Sequence, residues 1–206
     1  MRQGDRASYN GYEVCLFPLD IMNITQTSSP SSFSHCCGHP CDYVGTYAHY
    51  PYYAPFSCTR IWSDSASDVA YCSDDKVWTP SGLDYVTICF THDESIPTPT
   101  HYNQGDLIGH TGQAGYAFGD HVHIDQSKIR NAQLINSGIT CQGGNQCYML
   151  NGSEYPYDIF YLTGDETIVQ TQGYQFQMWN DSPITQGHFK WWMARLLLER
   201  RRNRNE

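Results

Sequence analysis

Residues 105–127 read GDLIGHTGQAGYAFGDHVHIDQS, and this stretch decides how the rest of the chain is interpreted. Side chains alternate between the two faces of a β-strand, so His121 and His123 should point to the same side. Two imidazoles on one face suit a metal ligand beside a group that handles protons. The glycines of residues 105–119 indicate tight turns with positive φ before that strand. A phosphate-binding loop would need a strand–loop–helix setting, which is absent here.

Further candidate site residues lie upstream of this stretch. Residues 83–91 are rich in β-branched and aromatic side chains, which predicts a strand that ends just before His92. His35 and Asp42 come earlier, seven residues apart. Zinc accepts imidazole nitrogen and carboxylate oxygen, and a catalytic zinc site has three protein ligands and one open position. His35, Asp42 and one histidine of the His-x-His pair supply that number, which leaves the other histidine and His92 to transfer protons.

This order of motifs resembles the M23 (lysostaphin-type) zinc endopeptidases of bacterial cell walls. The family pattern H…GDxIGxTG…GxHxH corresponds here to His92, residues 105–112 and residues 119–123. Most members place the zinc histidine four residues before the aspartate, whereas His35 precedes Asp42 by seven. The longer spacing is similar to the peptidase domain in tail-tip cell-wall-degrading proteins of short-tailed bacteriophages. The resemblance extends over roughly residues 12–168.

The resemblance implies a role for each candidate residue. It makes His35, Asp42 and His123 the ligands of one Zn²⁺ per chain, and it makes His92 and His121 the catalytic pair. His39, three residues before Asp42, is a rival to His35 as a ligand.

The implied fold is mainly β: an antiparallel β-sheet with a groove over the zinc site, lysostaphin-like and related to the duplicated-hybrid motif, plus a C-terminal helix. We expect residues 1–11 to be a linker or polar extension, residues 12–175 to form the peptidase domain, and residues 176–206 to form a C-terminal extension. From Gln186 onward the chain carries six basic and two acidic residues, so this tail is +4 and the remainder −13. Its apolar and basic residues over 189–204 predict a basic amphipathic helix.

Nine cysteines are an odd and high number for a chain of 206 residues. Cys36, Cys37 and Cys41 lie between the two proposed upstream ligands, where they could form a competing zinc–thiolate site or a disulfide that braces the ligand loop. The second interpretation is favoured because the spacing is not that of a zinc ribbon. Cys141 and Cys147 flank a Gly-Gly turn and could form another bridge, although the sequence alone does not give the connectivity. Disulfides would suit a protein that works outside cells.

The sequence predicts a zinc endopeptidase that hydrolyses peptide cross-links of bacterial peptidoglycan, as a phage tail-tip or lysis protein. No apolar segment resembles a signal peptide or is long enough to span a membrane. The acidic body disfavours nucleic acid as a partner. Peptidoglycan peptides and phage tail proteins are therefore the expected partners, in the virion or extracellularly at the host cell wall. The alternatives are a catalytically silent M23-like structural or wall-binding module of a phage tail, and a secreted bacteriocin-like lysin.

Overall fold

The computed structural model describes residues 1–64 and 67–161, together with the backbone of Gln175–Gln177. In chain order its elements are β1 Ser8–Tyr9, β2 Tyr12–Glu13, β3 Ile21–Thr27, β4 Cys41–Tyr43, β5 Pro51–Tyr53, β6 Cys58–Ser63, β7 Val69–Ser73, β8 Val77–Thr79, β9 Gly82–Asp84, β10 Thr87–Thr91, β11 His101–Tyr102, β12 Leu107–His110, β13 Val122–Ser127, β14 Leu134–Thr140, β15 Gln146–Leu150, α1 Pro156–Ile159 and β16 Gln175–Gln177. The prediction of a mainly β fold built on antiparallel sheet is confirmed. The strand predicted over residues 83–91 is divided between β9 and β10.

Among the described residues, eight strands form the central sheet, in the order β11-β6-β7-β10-β13-β4-β3-β16. Every neighbouring pair in this sheet is antiparallel. The remaining strands pair in four two-stranded sheets: β1 with β2, β5 with β12, β8 with β9, and β14 with β15. The three strands at the middle, β10, β13 and β4, carry four of the five predicted site residues or end beside them, and His35 lies in the connection between β3 and β4.

Alternation along these strands separates the core from the site. Val122 and Ile124 of β13 are fully buried in the main hydrophobic core, whereas His123 between them points to the other face. In β4, Cys41 and Tyr43 are likewise buried in the core, on either side of Asp42. One face of the sheet therefore supplies the apolar packing, and the opposite face is left for polar chemistry.

Residues 1–11, expected to be a linker or polar extension, instead pack on the domain. Met1 and Ala7 are buried in the main core, and β1 pairs with β2. The backbone N–H of Gly4 donates to the carbonyl of Gly105 at 2.8 Å, and that of Ala7 donates to Oε1 of Gln104 at 2.7 Å. The polar composition of this segment concealed its two buried apolar residues.

A hairpin and one short helix follow β13 in the chain. β14 and β15 form the hairpin, and α1 follows with Pro156 in its first turn, where a missing N–H costs nothing. The predicted basic helix over 189–204, and the rest of the predicted C-terminal extension apart from the backbone of β16, lie outside the described residues. Within the described part, no helix has the length and apolar character needed to cross a membrane.

Candidate metal centre and catalytic site

Three side chains converge on the polar face of the sheet. Asp42 and His123 are register partners across β4 and β13, and Nδ1 of His123 lies 3.1 Å from Oδ1 of Asp42. Nε2 of His35 lies 2.9 Å from the same Nδ1 and 3.2 Å from the same Oδ1. His35 and Asp42 are buried, and His123 is half-buried. The structure thus brings together the three residues predicted as ligands.

This donor set fits a zinc ion. Zinc–nitrogen and zinc–oxygen bonds of about 2.0–2.2 Å in a tetrahedral site place neighbouring donor atoms roughly 3.3–3.5 Å apart. The three separations of 2.9, 3.1 and 3.2 Å are slightly shorter but close to that spacing. Two imidazole nitrogens and a carboxylate oxygen directed at one another present three lone pairs, and at most one proton can lie between the two rings. A bound cation would satisfy all three at once.

Metal ligands must carry no proton on the donor atom, and the pKa shifts favour that state at His35 and Asp42 but not at His123. Burial lowers the pKa of His35, although the neighbouring Asp42 carboxylate partly opposes that shift, so its imidazole is neutral at neutral pH. Burial would raise the pKa of Asp42, but His35 and His123 outweigh it and hold that pKa well below its ordinary value. Burial would likewise lower the pKa of His123, but the hydrogen bond and charge of Asp42 raise it.

The two histidines predicted as the catalytic pair lie beside this group. Their ring centroids are 4.4 Å apart, and Nε2 of His121 is 3.7 Å from Oδ2 of Asp42. Nδ1 of His121 lies 2.9 Å from the carbonyl oxygen of Gly119, and Nδ1 of His92 lies 2.7 Å from that of Ala114. A carbonyl only accepts, so each Nδ1 carries the proton and each Nε2 presents a lone pair.

His92 is held at the end of β10 by its backbone. Its φ is +83°, an uncommon conformation for a residue other than glycine. Its N–H donates to Oγ of Ser67 at 3.1 Å, and its carbonyl accepts the N–H of Ala114 at 3.2 Å. A Cβ on Gly112 would collide with the same carbonyl, which explains why glycine stands at the end of the GDLIGHTG run.

The rival ligand His39 takes no part in the converging group. Its ring stacks on Tyr155 with the centroids 3.5 Å apart, and its backbone N–H donates to Oγ of Ser153 at 2.8 Å. Among the described residues, the histidines and carboxylates whose ligand atoms converge are His35, Asp42 and His123.

Two disulfides, Cys36–Cys141 and Cys37–Cys147, join the ligand loop, residues 28–40, to the β14–β15 hairpin. The prediction of a bridge that braces this loop is confirmed. The predicted bridge between Cys141 and Cys147 is wrong, because each of these pairs with a loop cysteine instead. The zinc–thiolate alternative is also excluded, since Cys36 and Cys37 are oxidised and Cys41 is buried in the core on the other face.

The site opens into a groove with a cavity volume of about 840 Å³. Aromatic rings line its rim: Phe33 from the ligand loop, Tyr116 and Phe118 from the loop before His121, and Tyr148 from β15. Its floor includes Asp125, which follows His123 by two residues on the same face of β13. Alternation along the strand would have identified Asp125 from sequence. The carbonyls of Gly119 and Ala114, which orient the catalytic pair, leave no sequence signal because they are backbone atoms.

Comparison with known proteins agrees with these observations. The chain is 34% identical, over 172 residues, to Morphogenesis protein 1 of Bacillus phage B103; the match covers 81% of this chain but only 45% of that protein, so the chain spans about half of its relative's length. No protein-family model matches the chain.

Solved structures with a similar fold include a zinc-containing peptidase from Vibrio cholerae, with a TM-score of 0.42, 15% identity, and coverage of 58% of this chain and 40% of that chain. They also include the catalytic domain of lysostaphin from Staphylococcus simulans, with a TM-score of 0.40, 14% identity, and coverage of 66% of this chain and 89% of that chain. The motif order along the sequence, together with the antiparallel sheet that brings its side chains together, supports an M23-like family for the protein, as its sequence predicted.

Proposed function

We propose that this protein is a zinc-dependent endopeptidase that hydrolyses peptide cross-links of bacterial peptidoglycan. The observation that carries the proposal is the convergence of ligand atoms of His35, Asp42 and His123 within 3.2 Å of one another, with two further histidines lining the same groove. Three ligands, an open side and two proton-transferring groups are the components of a hydrolytic zinc site.

Zinc held by these ligands would supply Lewis acidity, which polarises a peptide carbonyl and lowers the pKa of a water molecule to about 7. The chain's own residues handle the protons. A neutral imidazole at His92 or His121 accepts a proton on Nε2 from the attacking water, an effect typically worth about 10² to 10⁴ in rate. The resulting imidazolium then stabilises the developing negative charge and donates the proton to the departing amine nitrogen.

Burial supports the role of His92 as the proton acceptor. Burial, reinforced by the nearby His123, lowers the pKa of His92 to about 4, so its imidazole is neutral at pH 7. Its Nδ1 proton is fixed on the carbonyl of Ala114, so the free lone pair is on Nε2, the nitrogen that remains available to the groove. A base must be unprotonated before it can act, and this environment ensures that state.

The shape of the site suits a flexible peptide. Wall peptides present little side-chain area, so an open groove that binds the backbone is the appropriate form of recognition. The groove runs over the polar face of the sheet between the ligand loop and the aromatic loop before His121. The two disulfides fit action in an oxidising place, such as the virion or the exterior of the host.

The phage relative supports the biological setting. Because the similar protein from Bacillus phage B103 is a morphogenesis protein, we infer that this chain acts in a phage tail, with tail proteins as partners and the host wall as the place of action. The acidic body, at −13 without the tail, disfavours nucleic acid as a partner.

Digestion of purified Gram-positive walls of defined cross-link type tests the proposal. The walls are incubated with zinc-loaded protein, with chelator-treated protein, and with the treated protein after zinc is restored, and the products are read by mass spectrometry. New amino termini that vanish with the chelator and return with zinc establish the endopeptidase and identify its bond. Cleavage of no wall type by protein that holds one zinc would instead identify a catalytically silent tail module.

A further inference from the structure

The ligand His35 is placed differently from its two partners. Asp42 and His123 lie on neighbouring strands and are fixed by the sheet, whereas His35 lies in residues 28–40, which contain no helix or strand. Two adjacent cysteines follow His35 directly, and each makes a disulfide to the same hairpin. A ligand on an irregular loop needs some other means of being held, because side-chain positions on loops are less well fixed than those on strands.

We propose that the Cys36–Cys141 and Cys37–Cys147 disulfides position His35 for zinc, so that the affinity for zinc depends on both bridges. The proposal rests on the zinc site of the proposed function and adds a role for four residues outside the ligand set. One bridge would leave the loop free to rotate about it. Two bridges from consecutive residues, one to the end of β14 and one within β15, fix its orientation as well as its place.

The hairpin in turn is tied to the strand that carries His123. Within β15, the backbone N–H of Leu150 donates to Oδ2 of Asp125 at 2.6 Å, and Leu150 is fully buried. Asp125 lies two residues after His123 on β13. The loop that carries His35 is therefore bonded to β15 through Cys37 and Cys147. β15 is in turn hydrogen-bonded to Asp125 on the strand that carries His123. The same elements hold the two imidazoles 2.9 Å apart at their facing nitrogens.

Other contacts along the ligand loop agree with this role. The N–H of Gly143, in the turn of the hairpin, donates to the carbonyl of Phe33 at 2.9 Å. The N–H of His35 donates to Oγ of Ser32 at 3.0 Å, but this partner belongs to the same irregular loop.

Formation of the bridges links zinc binding to the surroundings of the protein. Each bridge forms when two thiols give up two protons and two electrons to an oxidant of the disulfide class, which is itself reduced to two thiols. Protein made in a reducing compartment therefore carries four thiols at these positions, and its His35 is not held beside Asp42 and His123. The site gains its affinity after oxidation.

Two double variants test the proposal, C36S/C141S and C37S/C147S, each of which keeps the other bridge. Zinc affinity is measured by competition with a chromophoric chelator, and ligand geometry is followed through the visible absorption of the Co²⁺-substituted protein. We expect each variant to bind zinc about 10- to 100-fold more weakly than the wild type, the range found when groups that orient metal ligands are removed. We also expect a changed Co²⁺ spectrum, which a role in stability alone would not produce.

Val77→Ala is the matched control, because Val77 is buried in β8 and forms no part of the groove. It should lower the melting temperature and leave zinc affinity and the Co²⁺ spectrum unchanged. If a double variant does not fold, folded wild-type protein is reduced with a trialkylphosphine and the freed thiols are capped with iodoacetamide so that they cannot bind zinc, and the same two measurements are repeated.

The outcomes separate this proposal from the proposed function. Wild-type affinity and spectrum in a folded protein that lacks either bridge would overturn the positioning role. Wild-type protein that binds zinc but cleaves no wall would refute the peptidase and leave the positioning role intact. Failure of the oxidised wild type to bind zinc would refute both the positioning role of the disulfides and the zinc peptidase.

Discussion

His123 and Asp42 face each other as register partners across two antiparallel strands, with Nδ1 of the histidine 3.1 Å from Oδ1 of the aspartate. The sheet itself therefore sets the separation of two of the three proposed ligands. A substitution elsewhere that leaves β4 paired with β13 should leave this separation unchanged. Replacement of the Asp42 or His123 side chain removes a donor atom even when the strands stay paired.

Replacement of either residue should remove zinc and activity together. Asp42→Ala and His123→Ala each delete one of three donors, so we expect less than one-tenth of the wild-type zinc content after gel filtration, and no release of wall peptides. His39→Ala is the control, since the His39 ring stacks on Tyr155 outside the converging group. Strong loss of zinc from the His39 variant would refute the choice of His35 as ligand.

His121→Ala should also lose activity, but it should keep its zinc. Its Nε2 is 3.7 Å from Asp42 and its Nδ1 is engaged by the carbonyl of Gly119, so we expect zinc to be retained. Turnover should fall by about 10² to 10⁴, the usual effect of a general acid–base group. The measurement is metal content and wall-peptide release on the same preparation. Loss of zinc would mean that His121 and His123 exchange roles.

Only part of this site has local determinants, because His35 and Asp42 meet His123 over separations of 88 and 81 residues and their grouping was implied by the family resemblance. Alternation along β13 places His121 and His123 on one face, and the glycines before them mark the turns. The orientation of His92 could not be predicted, because the carbonyl of Ala114 comes from a segment 22 residues away. The disulfide pairing was also out of reach: it depends on the hairpin lying against the ligand loop, over separations of 105 and 110 residues.

Removal of zinc should inactivate the protein without unfolding it. The main hydrophobic core lies on the face of the sheet opposite the site and includes large buried side chains such as Phe17, Tyr43 and Phe90. A scaffold with its own core does not need the metal to fold. We expect an unchanged far-ultraviolet circular dichroism spectrum after chelation, with a lower melting temperature because bound zinc stabilises only the folded state. Loss of the β spectrum on chelation would show that zinc is structural.

His92 should titrate well below an ordinary histidine in metal-free protein. Burial, with the nearby His123, lowers its pKa to about 4, against about 6.5 in the unfolded chain. Between these values the unfolded state binds a proton that the folded state does not. The contribution of His92 to stability is therefore fully present above pH 6.5, and up to about 3 kcal/mol is lost as the pH falls to 4.

Ring-nitrogen NMR of the metal-free protein gives the midpoint directly, and His92→Gln shows whether the loss of stability with acid belongs to this residue. The variant should lose less stability than the wild type between pH 6.5 and pH 4. A midpoint for His92 near 6.5 would contradict the assigned burial effect and weaken its role as a base that is neutral at pH 7.

Gly112→Ala should disturb the catalytic pair without touching a ligand. A Cβ at this position would collide with the carbonyl oxygen of His92, whose backbone already has a φ of +83°. His92 or the loop that carries Ala114 must then shift, and the hydrogen bond that fixes the His92 tautomer weakens. We expect wall-peptide release to fall at least tenfold while zinc affinity stays within about twofold of the wild type. Gln113→Ala, at an exposed position in the same loop, should leave both unchanged. Full activity in the Gly112 variant would show that the position of His92 does not limit the reaction.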